Sequence, residues 1–311
     1  MKALVLRDGR PQVADLDRMP GAGQSSPAAL PMRLVAAEVM PKDRQAAQGV
    51  VGLKLPEDLV LGSSAVATGA NETYFVRGAI DAAGGLRDGV FAEEFLAEPE
   101  WLLPVPGSVE PLQVAAGTAV LMDAIYALDD LAGLQPDETV LVLGASSGVG
   151  AATVAVARHR GNPVVAVTRD PGQFVALDGV KVVAADTLPK SVRDVTGGTG
   201  AQVIVDTVGG EQTRAALLAG ALRARHVVLG YLAGREPTGL TVTDLMIREH
   251  QLMGMNAHLV APERQRSLAA DALELLAQGA YAPPYRTVAI ADGVAELLSS
   301  DPGHSRALIV P

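Results

Sequence analysis

Residues 139–161 read TVLVLGASSGVGAATVAVARHRG, and this stretch decides the fold. The run Thr139–Gly144 is apolar without alternation, as in a strand buried on both faces, and Val149–His159 carries a helical pattern. Between them the chain must turn sharply, let its backbone approach a ligand and pack the new helix close to the strand. Each position there demands a minimal side chain, and Gly144, Ala145, Ser147, Gly148 and Gly150 supply them. The free N–H groups and positive dipole end of the following helix form a phosphate site. A second strand, Pro163–Thr168, completes a β-α-β unit. The reading is a dinucleotide site held by Gly144, Ala145, Ser146, Ser147, Gly148, Val149 and Gly150.

Working outward, further apolar runs at Lys181–Asp186, Ala201–Gly209 and Arg225–Gly230 alternate with helical patterns at Glu211–Leu222 and Pro262–Gln278. Strands of this kind with helices between them predict a parallel sheet covered on both sides, a Rossmann domain in an α/β protein. The first hundred residues lack helical periodicity. Short runs at Met1–Leu6, Met32–Met40, Leu59–Gly69 and Gly89–Gly107, separated by turn residues, predict an irregular, mainly antiparallel β structure. Near the end, Val288–Ser300 and Arg306–Pro311 read as a strand, a short helix and a strand that are candidates to return to the first domain.

Two other readings of the glycine turn are weaker on the sequence. Gly144-Ala145-Ser146-Ser147-Gly148 satisfies the G-x-S-x-G of a hydrolase elbow, and Asp206 with later histidines gives the order Ser, Asp, His. That reading leaves Gly150 and the tip of the second strand without purpose. The turn also looks like that of short-chain dehydrogenases, but none of Tyr231, Tyr281 or Tyr285 has a lysine four residues on. At the second strand's tip, an enzyme using NAD places Asp or Glu to accept from the ribose 2′-OH. Here the strand ends Val167-Thr168-Arg169, small polar and cationic groups that suit a 2′-phosphate, so the expected cofactor is NADP(H).

Composition narrows the function classes. The 311 residues contain no cysteine, which excludes disulfides, thiolate metal sites and thiol nucleophiles and fits a reducing cytosol. The 35 acidic against 25 basic residues give a net charge of −10, a field that repels nucleic acid. Neither a secretory leader nor an uninterrupted strongly apolar run of about 18 residues is legible, so the expectation is a cytoplasmic protein with no membrane partner. Five histidines, none with a partner four residues away, offer no metal site. With 49% hydrophobic but only 3% aromatic residues, the protein favours a compact apolar substrate.

The whole chain resembles the zinc-free quinone oxidoreductase and enoyl reductase branch of the medium-chain dehydrogenase/reductase superfamily. The likeness is carried by GVFAEEF (89–95), VAAGTAVLMDAIYAL (114–128), AGLQPDETVLV (132–142), VIVDTVGG (203–210) and HVVLGYLAG (226–234), around the GASSGVG turn. It implies a discontinuous, GroES-like catalytic domain of residues 1–112 and 258–311 around a cleft, with a Rossmann domain at 113–257. It implies cofactor contacts at Thr168, Arg169, Thr207, Val208, Gly230, Tyr231 and Asn256, a small-molecule substrate, and a homodimer paired through His250–Asn256.

Departures from the family pattern mark the candidates for chemistry. Met40 stands where the family has an asparagine near the nicotinamide ribose, Asp123 where it has a threonine near the carboxamide, and Val51 where enoyl-thioester reductases carry a tyrosine acid. The segment before Gly89 is shortened. The candidate proton donors are Asp123, whose carboxyl would be raised if buried, Tyr74 from a loop, and Tyr231 beside the nicotinamide. Lys42 and Asp43 read as an exposed pair. The expected activity is NADPH-dependent reduction of an activated C=C or a quinone. The alternative is a cofactor-binding protein of the same fold whose chemistry is lost or redirected.

Overall fold

The computed structural model describes residues 1–21, 24–50, 55–69, 72–77, 87–174, 177–236, 239–299 and 305–311. Val51, the shortened segment at 78–86, Ser300 and His304 lie outside the described residues, as does the side chain of His258. The chain divides into two compact units, Met1–Ala119 with Ala261–Pro311, and Val120–Val260.

The first unit contains β1 (Lys2–Arg7), β2 (Arg10–Asp15), β3 (Leu30–Glu38), β4 (Leu59–Val60), β5 (Ser64–Gly69), β6 (Glu72–Arg77), β7 (Glu94–Ala97) and β8 (Leu102–Pro104). A three-stranded sheet runs β2-β1-β4, and a seven-stranded sheet includes the order β3-β5-β6-β8, with β7 on β3. These pairings are antiparallel. Leu4, Met32, Phe91, Phe95, Ile290 and Leu297 fill its core.

Helix α1 (Pro41–Ala47) interrupts the strands and is not legible in the periodicity. Pro41 starts it with a preset φ, and the Asp43 carboxylate accepts from the Met40 N–H at 2.8 Å. The exposed Lys42–Asp43 pair of the sequence reading is therefore corrected. Asp43 is buried, also accepts from the Ser63 hydroxyl at 2.7 Å, and burial pushes its carboxyl up. Tyr74 is likewise on a strand, β6, rather than a loop.

Helix α2 (Pro111–Ile125) continues through a π-helical stretch to Leu131. The 21 residues Pro111–Leu131 are long and apolar enough on average to span a bilayer, though interrupted by Gln113 and Asp123, and 72% of their most apolar window is buried in protein. That is the mark of a core helix.

The second unit holds β9 (Val140–Leu143), β10 (Val164–Thr168), β11 (Val180–Ala184), β12 (Ala201–Asp206), β13 (Gly220–Val228) and β14 (Gln251–Gly254). They form one sheet in the order β11-β10-β9-β12-β13-β14, with parallel pairs throughout. Relative to their order along the chain this is 3-2-1-4-5-6, the doubly wound Rossmann arrangement. Helices α3 (Gly148–His159), α4 (Lys190–Val195), α5 (Glu211–Leu218) and α6 (Val242–Met246) connect the strands. Leu141, Leu143, Val165, Val167 and Ile204 pack against Val192, Ala216 and Ala219 on one side of the sheet. The helix expected to reach Leu222 ends at Leu218, and β13 begins at Gly220. Alanines at 215, 216, 219 and 221 suit either state, and pairing of Gly220 with Ala201 decides for the strand.

Beyond α7 (Pro262–Ala277), β15 (Tyr285–Ala289), α8 (Gly293–Leu298) and β16 (Arg306–Val310) return to the first unit. Strand β16 lies between β15 and β3, which extends the larger sheet.

Candidate functional site

The direction of strand order reverses between β9 and β12, and the crevice beyond their carboxyl ends is where sheets of this kind take ligands. The glycine turn lies there. Gly144 has φ +69°, and a Cβ on it would stand 2.3 Å from the Thr207 hydroxyl. A Cβ on Gly150 would stand 2.1 Å from the Gly144 carbonyl oxygen, so the start of α3 rests directly on the turn. Ser147 caps the helix, its hydroxyl accepting from the Gly150 N–H at 3.1 Å. Among the described residues, the N–H groups of Gly148 and Val149 carry no hydrogen bond, and they are the donors an anion would meet.

Three strand ends are tied to this turn. The Thr207 hydroxyl donates to the Leu143 carbonyl at 2.8 Å and lies 3.1 Å from the Ser147 hydroxyl. Ser146 and Thr168 meet at 3.2 Å between their hydroxyl oxygens, linking the turn to the tip of β10, and the Ala145 N–H donates to Val167 at 3.0 Å. Arg169, the next residue, is exposed. At the end of β13, a Cβ on Gly230 would fall 1.9 Å from the Thr207 carbonyl oxygen, so only glycine lets these two strand ends pack. Gly144 to Gly150, Thr168, Thr207, Val208 and Gly230 are thus brought together.

The remaining candidates are placed differently. Asn256 follows the edge strand β14 and is exposed. Tyr231 is 45% exposed, with the Arg235 guanidinium 5.5 Å from its ring centre. Asp123 is half-buried on α2. Tyr74 donates to the Glu72 carboxylate at 2.7 Å, and that bond pushes its phenol up, which makes it a poorer acid. Its ring packs against the core of the first unit.

The hydrolase reading has no triad. The Ser146 hydroxyl faces Thr168, while Asp206 faces Thr213 and His226.

Sequence reasoning weighed Asp206 only for the hydrolase triad and missed its role as a buried anchor of the 206–210 turn. It accepts from the N–H groups of Val208 and Gly209 at 2.9 and 2.8 Å and from the Thr213 hydroxyl at 2.7 Å. Burial alone would raise its carboxyl, but His226 and these donors hold it below the usual range. The available signal was an aspartate and a histidine inside otherwise apolar strands.

The family model described as zinc-binding dehydrogenase matches residues 148–277. A putative quinone oxidoreductase, YhfP, from Bacillus subtilis is 32% identical over 217 residues, 64% of each chain. The acrylyl-CoA reductase AcuI of Ruegeria pomeroyi is 31% identical over 54% of this chain and 53% of its own. The pikromycin polyketide synthase component PikAII of Streptomyces venezuelae is 27% identical over 72% of this chain but only 6% of its own length. Among solved structures, the quinone oxidoreductase from Thermus thermophilus, described with its NADPH complex, superposes with a TM-score of 0.79 at 23% identity, each chain covered in full. AibC superposes with a TM-score of 0.86 at 22% identity over all of this chain and 96% of its own.

These matches support a place for the chain in the medium-chain dehydrogenase/reductase superfamily. Within it, the quinone oxidoreductase and acrylyl-CoA reductase relatives support a zinc-free quinone oxidoreductase and enoyl reductase-like branch. The chain spans about half to two thirds of the length of these reductases and a few per cent of the polyketide synthases. The zinc in the family description does not fit this chain. It has no cysteine, and among the described residues no three of His, Cys, Asp and Glu gather as ligands. A nicotinamide dinucleotide does fit, because the glycine cradle and the open helix N-terminus match a pyrophosphate.

Proposed function

We propose that this protein is an oxidoreductase that uses NADPH to reduce an activated C=C, in an enone or enoyl group, or a quinone, without a metal. The observation that carries the reading is the Gly144–Gly150 turn, closed by Ser147 and Thr207 at the strand-order reversal of a Rossmann sheet. The cofactor, when bound, supplies the hydride. The chain's own part is to hold the pyrophosphate on the start of α3, to receive the 2′-phosphate at Thr168 and Arg169, and to set the nicotinamide near Thr207, Val208, Gly230 and Tyr231. Asn256, beyond β14, is proposed as a further cofactor contact by the family likeness. The acrylyl-CoA reductase and quinone oxidoreductase relatives support an electron-poor double bond as substrate. Oxidation of NADPH, followed at its nicotinamide absorbance with a panel of small enones, enoyl thioesters and quinones, tests the proposal. No turnover of any of them would leave the second reading, a cofactor binder with altered chemistry, which Met40 and Asp123 motivate.

The cofactor preference rests on charge. Arg169 is exposed at the tip of β10, where it can meet a dianionic phosphate, and a charge-assisted hydrogen bond is worth about 1.5–3 kcal/mol. Arg169→Ala should therefore weaken NADPH roughly tenfold or more and leave NADH nearly unchanged, as read by fluorescence titration. Equal affinity of the wild type for both cofactors would refute the assignment.

Asp123 is proposed as the proton donor, with Tyr231 second and Tyr74 third because Glu72 holds its proton. Asp123→Asn keeps the size and removes the titration. The reductase rate should fall about 10²-fold or more, with a flattened pH profile and NADPH affinity little changed. A wild-type rate and profile would move the role to Tyr231, Tyr74 or solvent.

We also propose a homodimer. Strand β14 is a sheet edge carrying exposed Leu252, and the α6 segment exposes Val242, Met246 and Ile247. Unpaired edges and contiguous apolar surface are costly in a monomer. Light scattering at micromolar concentration should give twice the chain mass, and a monomer mass would refute it.

A further inference from the structure

His226, on β13, is fully buried, and neither of its ring nitrogens has a hydrogen-bond partner. Its Nε2 stands 3.4 Å from Oδ2 of Asp206, just outside bonding geometry. An orphaned imidazole inside an apolar sheet is costly, and its acidic neighbour is the carboxylate that ties down the 206–210 turn. That turn carries Gly209 and Gly210 at positive φ, and it presents Thr207 to Leu143 and Ser147. The glycine turn and the ends of β12 and β13 therefore lean on one carboxylate, and His226 is the group placed to adjust it.

We propose that His226 is a positioning residue: acting through Asp206, it fixes the 206–210 turn that carries Thr207 and Val208, and it does so more firmly when its ring is protonated. The inference about cofactor affinity rests on the NADPH reading given above. The inference about the turn does not. A protonated ring next to an ionised carboxylate gives a buried pair of no net charge, whose charge-assisted bond draws Oδ2 and locks the turn. Oδ2 keeps a second lone pair for Thr213, so the new bond does not displace the existing one. The neutral ring offers Oδ2 at most one uncharged N–H.

The other groups facing the pair are accounted for. From α5, Thr213 reaches Asp206, while Arg214 is turned to Asp244 at 2.9 Å. From the turn before β14, His250 is held by the Ala221 carbonyl at 2.8 Å, and burial pushes its ring down, towards the neutral form, with Arg248 and His226 adding to the effect.

Two measurements test this on the full chain. The first is hydrogen exchange without cofactor at the amides of Val208 and Gly209, the two N–H groups held by Asp206. In the wild type their protection, corrected for intrinsic rates, should rise by roughly fivefold as the pH falls from about 8 to about 5. His226→Gln should abolish that rise. Asp206→Asn, which keeps the shape and removes the anion, should abolish it even with His226 present. The second is the ratio of NADPH Kd values, His226→Gln over wild type, which should grow by a similar factor over the same interval. The titration of the cofactor's own phosphate cancels in the ratio.

Unchanged protection in both variants overturns the proposal, whatever NADPH does. A pH-dependent protection lost in both variants, in a protein that does not bind NADPH, upholds the positioning role and sinks the cofactor reading instead. A uniform, pH-independent loss of protection in His226→Gln would show ordinary packing and overturn the role assigned to protonation.

Discussion

Gly150→Val should abolish binding of the nicotinamide cofactor while leaving the first unit folded. The first atom added at this position would lie 2.1 Å from the carbonyl oxygen and 2.8 Å from the carbonyl carbon of Gly144, and 2.9 Å from the Ser147 hydroxyl. The two closest contacts are backbone, which cannot rotate out of the way. The start of α3 must move instead, taking with it the N–H groups of Gly148 and Val149 and the cap at Ser147. Overpacking in an ordinary core costs about 1–3 kcal/mol. Losing two charge-assisted bonds to phosphate costs a further ~3–6 kcal/mol of affinity, or more than a hundredfold in Kd. Fluorescence titration with NADPH, alongside circular dichroism for the fold, measures both effects. Retained affinity in a folded variant would reduce the glycine turn to a structural device.

The second large effect is on stability, in the first unit. Glu38 at the end of β3 is fully buried, and the Arg306 guanidinium on β16 donates to one of its carboxylate oxygens through Nε and Nη2. Burial pushes Arg306 down to about 10, still charged at neutral pH. Arg306→Ala would strand an uncompensated carboxylate and should destabilise the unit by about 3–5 kcal/mol, whereas replacing a buried pair by apolar residues of similar volume is often neutral. Thermal unfolding should therefore drop by roughly 10 °C in Arg306→Ala and barely move in the Glu38→Leu, Arg306→Met double variant. Equal losses in both would mean that packing of the stems, rather than charge, holds the strands.

The second unit was the more legible in the sequence, and the reason is its chemistry. Val140–Leu143 and Val164–Thr168 are continuous apolar runs bounded by glycine, proline or charge, and a parallel sheet buried on both faces admits little else. The glycine turn was legible because Gly144 and Gly150 each sit where a side chain would collide with its neighbours. The first unit obeys no such rule. Helix α1 has seven residues and no apolar stripe, so its existence depends on Pro41 and on the reach of Asp43 back to Met40. The burial of Asp43 follows from Ser63, twenty residues away, which local periodicity does not see. The same limit hid the Asp206–His226 pair. Each residue reads alone as an ordinary polar interruption, and only the pairing of β12 with β13 brings them together.

The position of β16 between β15 and β3 also sets an order of events during synthesis. Strand β3 emerges from the ribosome early, but residues 306–310, whose Leu308 and Ile309 pair with Glu38 and Ala37 at its end, emerge about 270 residues later. At ordinary elongation speeds that interval is on the order of tens of seconds. The second unit, Val120–Val260, is contiguous and can close within it. For that time the nascent chain carries a finished Rossmann fold while the Ala37–Glu38 end of β3 waits for its partner, the state in which unpaired strand edges attract other chains. Slow codons or chaperone capture between about residues 260 and 305 should therefore affect yield far more than the same perturbation placed within the second unit.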